Sequence, residues 1–243
     1  MISYRIPLNI SRHILINPLL DKNVPIRQIT VNEPKFSDSL NPLEMLDIFE
    51  HGRQIKVLNR AINTDIVEYL AFASPKLGDG FQYLLRSNES ISTKIIKENA
   101  LPKHEHRELF LDDIDYIAQL YIDLLGCSSI GIRLEALSHA MCPKFHIDRT
   151  GIRLLCTYQG LGTEWLDDQY ADRTKLGMAS INAEDSDSGL ILDSKGVHRV
   201  DLFDIALLKG SLWQGNATRG IIHRSPVVLD SKHRIMLAVD AIW

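Results

Sequence analysis

The spacing of apolar and polar residues divides this chain into a helical first half and a strand-rich second half. Between positions 41 and 125, apolar residues recur at intervals of three and four, which is typical of one buried helix face. The pattern predicts one helix that begins at Asn41 and others at residues 64–72, 80–97 and 108–125. Pro42, Pro75 and Gly126 stand where helices begin or end. Residues 1–40 lack a clear period and are predicted to be irregular.

After Gly126 the period changes from helical to alternating, which indicates strands. Apolar residues occupy every second position from Ile130 to Ala136, and both faces of the segment 234–242 are apolar. That last strand is therefore predicted to be covered on both sides, with the helices as one cover. The other predicted strands are residues 153–158, 190–192, 197–200, 204–208 and 220–223. Many short strands favour a sandwich or barrel, and the fold class is predicted as α+β.

Composition and charge exclude several classes of protein. Of 243 residues, 45% are hydrophobic and 24% charged, which is ordinary for a globular protein, and the net charge is −4. No basic patch indicates a nucleic-acid partner, and no apolar run approaches the roughly 20 residues of a membrane span. The three cysteines, Cys127, Cys142 and Cys156, cannot all pair with one another, which favours free thiols. Without a recognisable N-terminal signal, a cytoplasmic location is expected.

The segment from Cys142 to Leu166 carries the candidate chemistry. His146 and Asp148 stand two residues apart beside an apolar strand pattern, so both side chains point to one face of an extended backbone. Two ligands on one face leave coordination positions of a metal open, and a further imidazole completes the facial triad of non-haem Fe(II) oxygenases. About one such His-x-acid triplet is expected by chance. A second triplet, His106 and Glu108, falls at a predicted helix start.

Three histidines on later strands could supply the third ligand: His198, His223 and His233. His223 ends the apolar run of residues 220–222, and Arg234 follows eleven residues later at the start of the last strand. A hairpin between these strands is predicted to bring Arg234 beside His223, where a guanidinium can bind a carboxylate with two hydrogen bonds. His198 and Lys209 form a rival pair with the same separation.

These residues resemble the pattern of Fe(II)/2-oxoglutarate-dependent dioxygenases, which fold as a double-stranded β-helix, or jelly roll. The shared motif is His146-x-Asp148, then His223, then Arg234. Residues 153–158 and 162–165 resemble the second strand and glycine turn of the prolyl-hydroxylase-like branch, and residues 204–210 and 223–226 resemble its closing strands. The resemblance covers about residues 128–243. The whole chain also resembles a bacterial family of unassigned function.

The resemblance implies a double-stranded β-helix metal-binding domain at residues 127–243. An irregular and helical N-terminal region, residues 1–126, is expected to cover it within one compact unit. His146, Asp148 and His223 would bind Fe(II). Arg234, helped by the hydroxyl of Tyr158, would bind 2-oxoglutarate. The partners would be O2 and an unknown primary substrate. Met236 is a departure, because the family often has Ser or Thr at this position.

Several alternatives remain open from the sequence. Cys142 stands four residues before His146, so a zinc site of Cys142, His146 and His223 could serve a hydrolase. A jelly-roll protein could instead bind a metal or ligand without turnover, with a role in metal homeostasis. His146 could also be a core histidine and Asp148 a turn residue. Metal content and oxygen dependence distinguish these alternatives.

Overall fold

A computed structural model describes residues 40–177, 184–228 and 233–242. Its helices are a 3-10 helix at Pro42–Phe49 and three α-helices: α1 (Thr64–Ala73), α2 (Ile91–Glu98) and α3 (Arg107–Leu125). Its strands are β1 (Ile55–Leu58), β2 (Gly80–Arg86), β3 (Ser129–Leu137), β4 (Ile152–Gln159), β5 (Glu164–Leu166), β6 (Val197–Arg199), β7 (Ile205–Lys209), β8 (Ile222–Arg224) and β9 (Arg234–Ile242). None of the described helices is long and apolar enough to cross a bilayer.

Side-chain caps fix the ends of the helices. Asn41 accepts a hydrogen bond from the backbone nitrogen of Leu43, and Asn63 accepts from the first turn of α1. Such caps each stabilise a helix by about 1 kcal/mol. Gly126 ends α3 in the left-handed conformation, with φ of 61°. The predicted helix start at Asn41 is thus confirmed, although the helix is of the 3-10 type.

The strands form two antiparallel sheets that face each other. The large sheet has the order β1-β7-β4-β9-β3-β2, and the small sheet has the order β6-β5-β8. Leu155, Leu208 and Met236 of the large sheet belong to one apolar cluster with Ile221, and Trp165 of the small sheet packs against it. The fold therefore combines helices with antiparallel sheets in a jelly-roll-like arrangement.

Helix α3 packs against the opposite face of β9. Alternate residues of β9, such as Leu237 and Val239, belong to the main core together with Phe110 and Ile114 of α3. Met236 and Ala238, which alternate with these residues along the strand, lie in the cluster that the two sheets enclose. The prediction that β9 is covered on both faces is confirmed.

Residues 80–97, predicted as one helix, form a strand and a short helix. β2 pairs with β3 from Gly80 to Arg86, and the hydroxyl of Ser90 then caps α2. The long-range pairing with β3 overrides the weak helical spacing of these residues. β1 was also missed, so the N-terminal region supplies two edge strands of the large sheet besides its helices. Residues 1–39 lie outside the described part.

Two further differences concern β4 and the polar segment that follows β5. The register of β4 against β9 shifts between Thr157 and Gln159, which marks a β-bulge, and Gly160 follows with φ of 84°. After the polar segment, residues 167–189, the predicted strand at 190–192 is reduced to a single bridge between Ala171 and Ile191. The bulge redirects the chain from the large sheet into the small one.

Candidate metal and anion site

His146 and His223 are brought together by the backbone. They form an isolated antiparallel bridge in which the nitrogen of each residue donates to the carbonyl of the other, at 2.9 and 3.0 Å. Their rings lie on the same side with centroids 4.6 Å apart. Through this bridge, His146 lies beside β8 at the edge of the small sheet.

Asp148 points to the same side, as its spacing from His146 predicts. Its Oδ1 lies 3.4 Å from Nε2 of His146, and its Oδ2 lies 3.4 Å from Nε2 of His223. One ligand atom from each of the three residues lies within 4.8 Å of the other two. The three side chains therefore converge on one point, as the sequence pattern predicts.

Hydrogen bonds orient both imidazoles. Nδ1 of His146 lies 2.9 Å from the carbonyl oxygen of Lys144, and Nδ1 of His223 lies 3.2 Å from that of Ile221. A carbonyl oxygen can only accept, so each Nδ1 carries a proton, and Nε2 is the ring nitrogen directed at Asp148, where it can donate when protonated or bind a metal when deprotonated. Burial opposes the charged form of His146, but the carboxylate of Asp148 outweighs it and raises the pKa of the imidazole.

Arg153 holds the carboxylate of Asp148 from behind. Its Nη1 donates to Oδ2 of Asp148 at 2.5 Å, while Nε and Nη2 each donate to Asp240 at 2.8 Å. Burial acts to raise the pKa of Asp148, but the hydrogen bonds from His146 and His223 and the charge of Arg153 hold it well below its usual value. Asp148 therefore stays an anionic oxygen donor.

Arg234 carries a buried charge that no acid of the described residues contacts, although the negative charge of Glu135 acts on it from a greater distance and acts to raise its pKa. The residue is 1% exposed, and no carboxylate of the described residues lies within ion-pair distance of its guanidinium. Nε donates to the carbonyl of Leu161 at 2.7 Å, and Nη2 donates to the hydroxyls of Thr163 and Thr157 at 2.9 and 3.2 Å. Nη1 is buried without a partner. Burial lowers the pKa of Arg234 to about 10, so the group remains a cation at neutral pH.

One strand connects the two parts of the site. Trp165 of β5 lies directly opposite His223 and also opposite His198, which stacks on the indole with centroids 4.3 Å apart. Thr163, which holds Arg234, precedes Trp165 by two residues and shares its side of the extended chain. Two residues of a strand span about 7 Å. Thr163 thus contacts the guanidinium of Arg234, and the next residue on the same side of the chain, Trp165, lies opposite His223, one of the three converging residues.

The structure does not bring Tyr158 together with Arg234. The Tyr158 hydroxyl donates to Oδ2 of Asp113 at 2.6 Å on the helix side of β4. Thr157, its neighbour on the other face, contacts Arg234 instead. The predicted β8–β9 hairpin is also wrong, because β8 pairs with β5 and β9 pairs with β3 and β4. Arg234 reaches the site from the opposite sheet.

Other residues near the triad were missed or placed elsewhere. The sequence analysis did not identify Thr157, Thr163 or the Arg153–Asp240 pair as residues near the site. The alternation of β4 does put Arg153 and Thr157 on one face, which is a signal that could have found them. Cys142 is exposed and outside the converging group. The rival residue Lys209 is buried beneath Trp213 rather than beside His198. A second possible metal-holding group, Glu68, His104 and Glu105, lies outside the sheets.

Comparison of the sequence with known families places the chain in the family described as "Protein of unknown function (DUF1826)", which matches residues 39–240. The chain belongs to this family. A search of curated proteins returned no match.

Solved structures offer only distant similarity. A dioxygenase for auxin oxidation from rice is 14% identical, covers 78% of this chain and 73% of its own, and has a TM-score of 0.44. The 2-oxoglutarate complex of the Arabidopsis thaliana auxin dioxygenase is 13% identical over 68% of this chain and 64% of its own, with a TM-score of 0.38. A bsmA homolog from Methylobium petroleophilum is 12% identical over 83% and 92%, with a TM-score of 0.39.

Proposed function

We propose that this protein is an Fe(II)- and 2-oxoglutarate-dependent oxygenase of the hydroxylase type. The observation that carries the proposal is Arg234, a fully buried guanidinium that contacts no acid among the described residues and has one nitrogen without a hydrogen-bond partner among them. Such a group is costly to bury unless an anion completes it. An anionic co-substrate would supply the negative charge and the hydrogen-bond acceptor that the described residues do not offer to Arg234.

The converging ligands fit the metal of this class. Two imidazole Nε2 atoms and one carboxylate oxygen lie on one side, which is the donor set of two histidines and one carboxylate that suits Fe(II). Arg153 occupies Oδ2 of Asp148, so Oδ1 is the oxygen left for the metal. When iron and 2-oxoglutarate are bound, they supply an oxidation in which O2 gives one atom to a substrate C–H bond and the other to succinate, with release of CO2.

The chain's own groups would position the co-substrate. Arg234 would bind its far carboxylate through Nη1, while Thr157 and Thr163 hold Nη2 and fix the plane of the guanidinium. The separation of about 7 Å between Thr163 and Trp165 along an extended chain suits a five-carbon dicarboxylate that reaches from Arg234 to the metal. The two threonines also supply the hydroxyls that Met236 lacks. Tyr158 is not part of this arrangement.

Two finer assignments accompany the proposal. The two facing sheets would form a double-stranded β-helix, and residues 153–158 and 162–165 favour the prolyl-hydroxylase-like branch. In this fold the polar segment after β5, with short 3-10 helices at Asp168–Tyr170 and Arg173–Lys175, would border the site as a lid. The primary substrate would enter beside it.

The test is an anaerobic titration of 2-oxoglutarate into the Fe(II) protein, followed by the visible charge-transfer absorption of the complex. Wild type is expected to develop the band and to saturate with one molecule of 2-oxoglutarate bound per iron. Arg234→Ala is expected to keep the iron and bind 2-oxoglutarate at least about tenfold more weakly, because the charge-assisted contact through Nη1 is lost. Arg234→Lys is expected to recover only part of the affinity.

Two outcomes separate this function from its alternatives. Iron binding without the absorption band, and without succinate release under air, would indicate a metal-binding protein that performs no turnover. Zinc as the tightly bound metal, together with hydrolysis that does not need O2, would indicate a hydrolase. Lys209→Ala serves as the control, because Lys209 is buried against Trp213 and is not predicted to contact the co-substrate.

A further inference from the structure

A groove of about 500 Å³ lies over β2 and β3, and nothing described so far occupies it. Gln82 and Arg133 are paired across the two strands, and Glu135 and Leu137 are the next residues of β3 on the same face. Asp79 and Met141 also line it. This volume suits a small organic molecule.

A chain of charged side chains connects the groove to the metal ligands. Glu135 accepts from Nε of Arg133 at 3.1 Å, and Arg133 donates to Asp240 at 3.3 Å. Asp240 is bound by Arg153, which in turn holds Asp148. Glu135, Arg133, Asp240 and Arg153 lie on the face of the large sheet that is directed towards the small sheet, so groove and metal site share one side of the fold.

The backbone beside the groove also leads to the site. Met141 lines the groove, and the next residue, Cys142, accepts a hydrogen bond from the backbone nitrogen of Ser225 at 2.9 Å. Ser225 follows His223 by two residues, so the chain passes from the groove directly to the histidine bridge. A short backbone path therefore joins Met141 of the groove lining to the histidine bridge.

The charges of the lining favour a cation. Arg133 is the one guanidinium of the lining, and Glu135 and Asp240 already neutralise it. Asp79 is exposed, and among the described residues no basic side chain pairs with it. Glu135 is largely buried, with 13% of its side chain exposed, and uses one oxygen for Arg133. Leu137 and the half-exposed Met141 add apolar surface next to these carboxylates.

We propose that this groove binds the primary substrate and that the substrate is a small molecule with an amino group on an apolar chain. The ammonium group would lie against Glu135 and Asp79, and the apolar chain would extend past Leu137 and Met141 towards the histidines. The oxidation of this molecule rests on the proposed oxygenase function, whereas its binding does not. A carbon of the chain would present the C–H bond that is converted to C–OH.

Ligand-detected NMR with n-hexylamine, n-hexanol and hexanoate tests the groove on the full-length protein. Hexylamine is expected to bind with a dissociation constant on the order of 1 mM, as its small size allows. The alcohol and the acid are expected to bind at least about tenfold more weakly, since they lack the positive charge. Equal binding of hexylamine and hexanol would overturn the assignment of a cationic substrate.

Three variants locate the binding. Glu135→Gln keeps the shape of the side chain and is expected to weaken hexylamine about tenfold. Met141→Lys changes a half-exposed side chain, so folding is retained, and its added charge is expected to abolish binding. Leu212→Lys places the same charge at an exposed leucine away from the groove and is expected to bind like wild type. Undiminished binding to both groove variants would refute the site.

The His223→Ala protein distinguishes this inference from the proposed function. Hexylamine is expected to bind to it as to wild type, because the groove does not need the metal. If hexylamine binds to wild type and to His223→Ala but wild type does not turn over 2-oxoglutarate, the oxygenase function is contradicted and the groove remains supported as an amine-binding site. Turnover of 2-oxoglutarate in a protein that binds no amine would contradict the groove alone. If both hold, hexylamine is expected to increase succinate release in wild type and not in Met141→Lys.

Discussion

His146 and His223 lie opposite each other in an antiparallel bridge, with their ring centroids 4.6 Å apart. Two backbone hydrogen bonds fix the pair, and a carbonyl oxygen orients each Nδ1. The imidazoles therefore need little rearrangement when a metal binds, and little conformational entropy is lost. A site arranged in this way should bind a divalent cation tightly in the folded protein.

The first prediction concerns the metal. Wild type is expected to bind one Fe(II), or one Co(II) as a spectroscopic substitute, whereas His223→Ala and Asp148→Ala lose the ion because two donors cannot complete the site. Metal analysis after dialysis and cobalt absorption measure this. His198→Ala is the matched control, since His198 stacks on Trp165 and is outside the converging group. Full occupancy in His223→Ala would contradict the proposed ligand set.

The second prediction concerns the cost of burying Arg234. Arg234→Met removes an unneutralised charge and keeps an unbranched side chain, so the protein without ligand is expected to be as stable as wild type or more stable. Added 2-oxoglutarate at 100 times its dissociation constant is expected to stabilise metal-loaded wild type by about 2.7 kcal/mol and Arg234→Met far less. Thermal unfolding with and without 2-oxoglutarate gives both values. An equal increase in melting temperature for the two proteins would show that Arg234 does not bind the co-substrate.

The third prediction separates Tyr158 from the site. Tyr158→Phe removes a buried hydrogen bond to Asp113, a carboxylate that Arg60 also contacts, and is expected to destabilise the fold by about 1.5–3 kcal/mol. Its affinity for 2-oxoglutarate is expected to equal that of wild type. Thr157→Val, on the other face of β4, is expected to weaken 2-oxoglutarate because it frees the guanidinium of Arg234. Denaturant unfolding measures the loss of stability, and the absorption titration measures the affinity for 2-oxoglutarate. Weaker 2-oxoglutarate binding in Tyr158→Phe, together with unchanged binding in Thr157→Val, would show that Tyr158 belongs to the site.

The convergence of the three proposed metal ligands could be predicted from the sequence because it depends largely on local spacing. His146 and Asp148 share a face by the period of a strand, and His223 marks the end of an apolar run. The partners of Arg234 could not be predicted, because they depend on the bulge between Thr157 and Gln159 and on which sheet receives each strand. Tyr158 was expected to help bind 2-oxoglutarate because of its hydroxyl, but the alternation of β4 directs its side chain towards the helices, where it contacts Asp113.

The fold shows the same division between local and distant interactions. β3, β4 and β9 were predicted within two residues because their alternation is strong and their apolar residues are buried. β1 is short and β2 lies at the sheet edge, so their sequences show weak alternation and only pairing with β7 and β3 makes them strands. Their pairing partners lie far away in the sequence, and no local pattern reveals such pairings.

The fourth prediction concerns pH. Burial acts to raise the pKa of Glu164, but hydrogen bonds from Arg199 and Arg224 outweigh it, so the folded-state pKa is lowered. The stabilisation is therefore present above the unfolded carboxyl pKa of about 4.3 and is lost as pH falls through the lower folded value. The difference in unfolding free energy between wild type and Glu164→Gln is expected to be constant from pH 6 to 8 and to shrink below about pH 4. Urea unfolding across this range measures it, with exposed Glu89→Gln as control. A difference that grows on acidification would contradict the assignment.

The bulge that ends β4 limits which sequence changes this chain can accept during evolution. Before the bulge, neighbouring residues serve different sides of the sheet: Thr157 contacts Arg234, while Tyr158 contacts Asp113. Deleting a single residue within β4 would exchange these assignments, with a large phenol forced towards the anion site and a threonine left among the helices. Relatives that keep this chemistry should therefore show substitutions, rather than insertions or deletions, between Ile152 and Gln159. Length changes should collect in the polar segment after β5, where the chain can lengthen without moving a ligand.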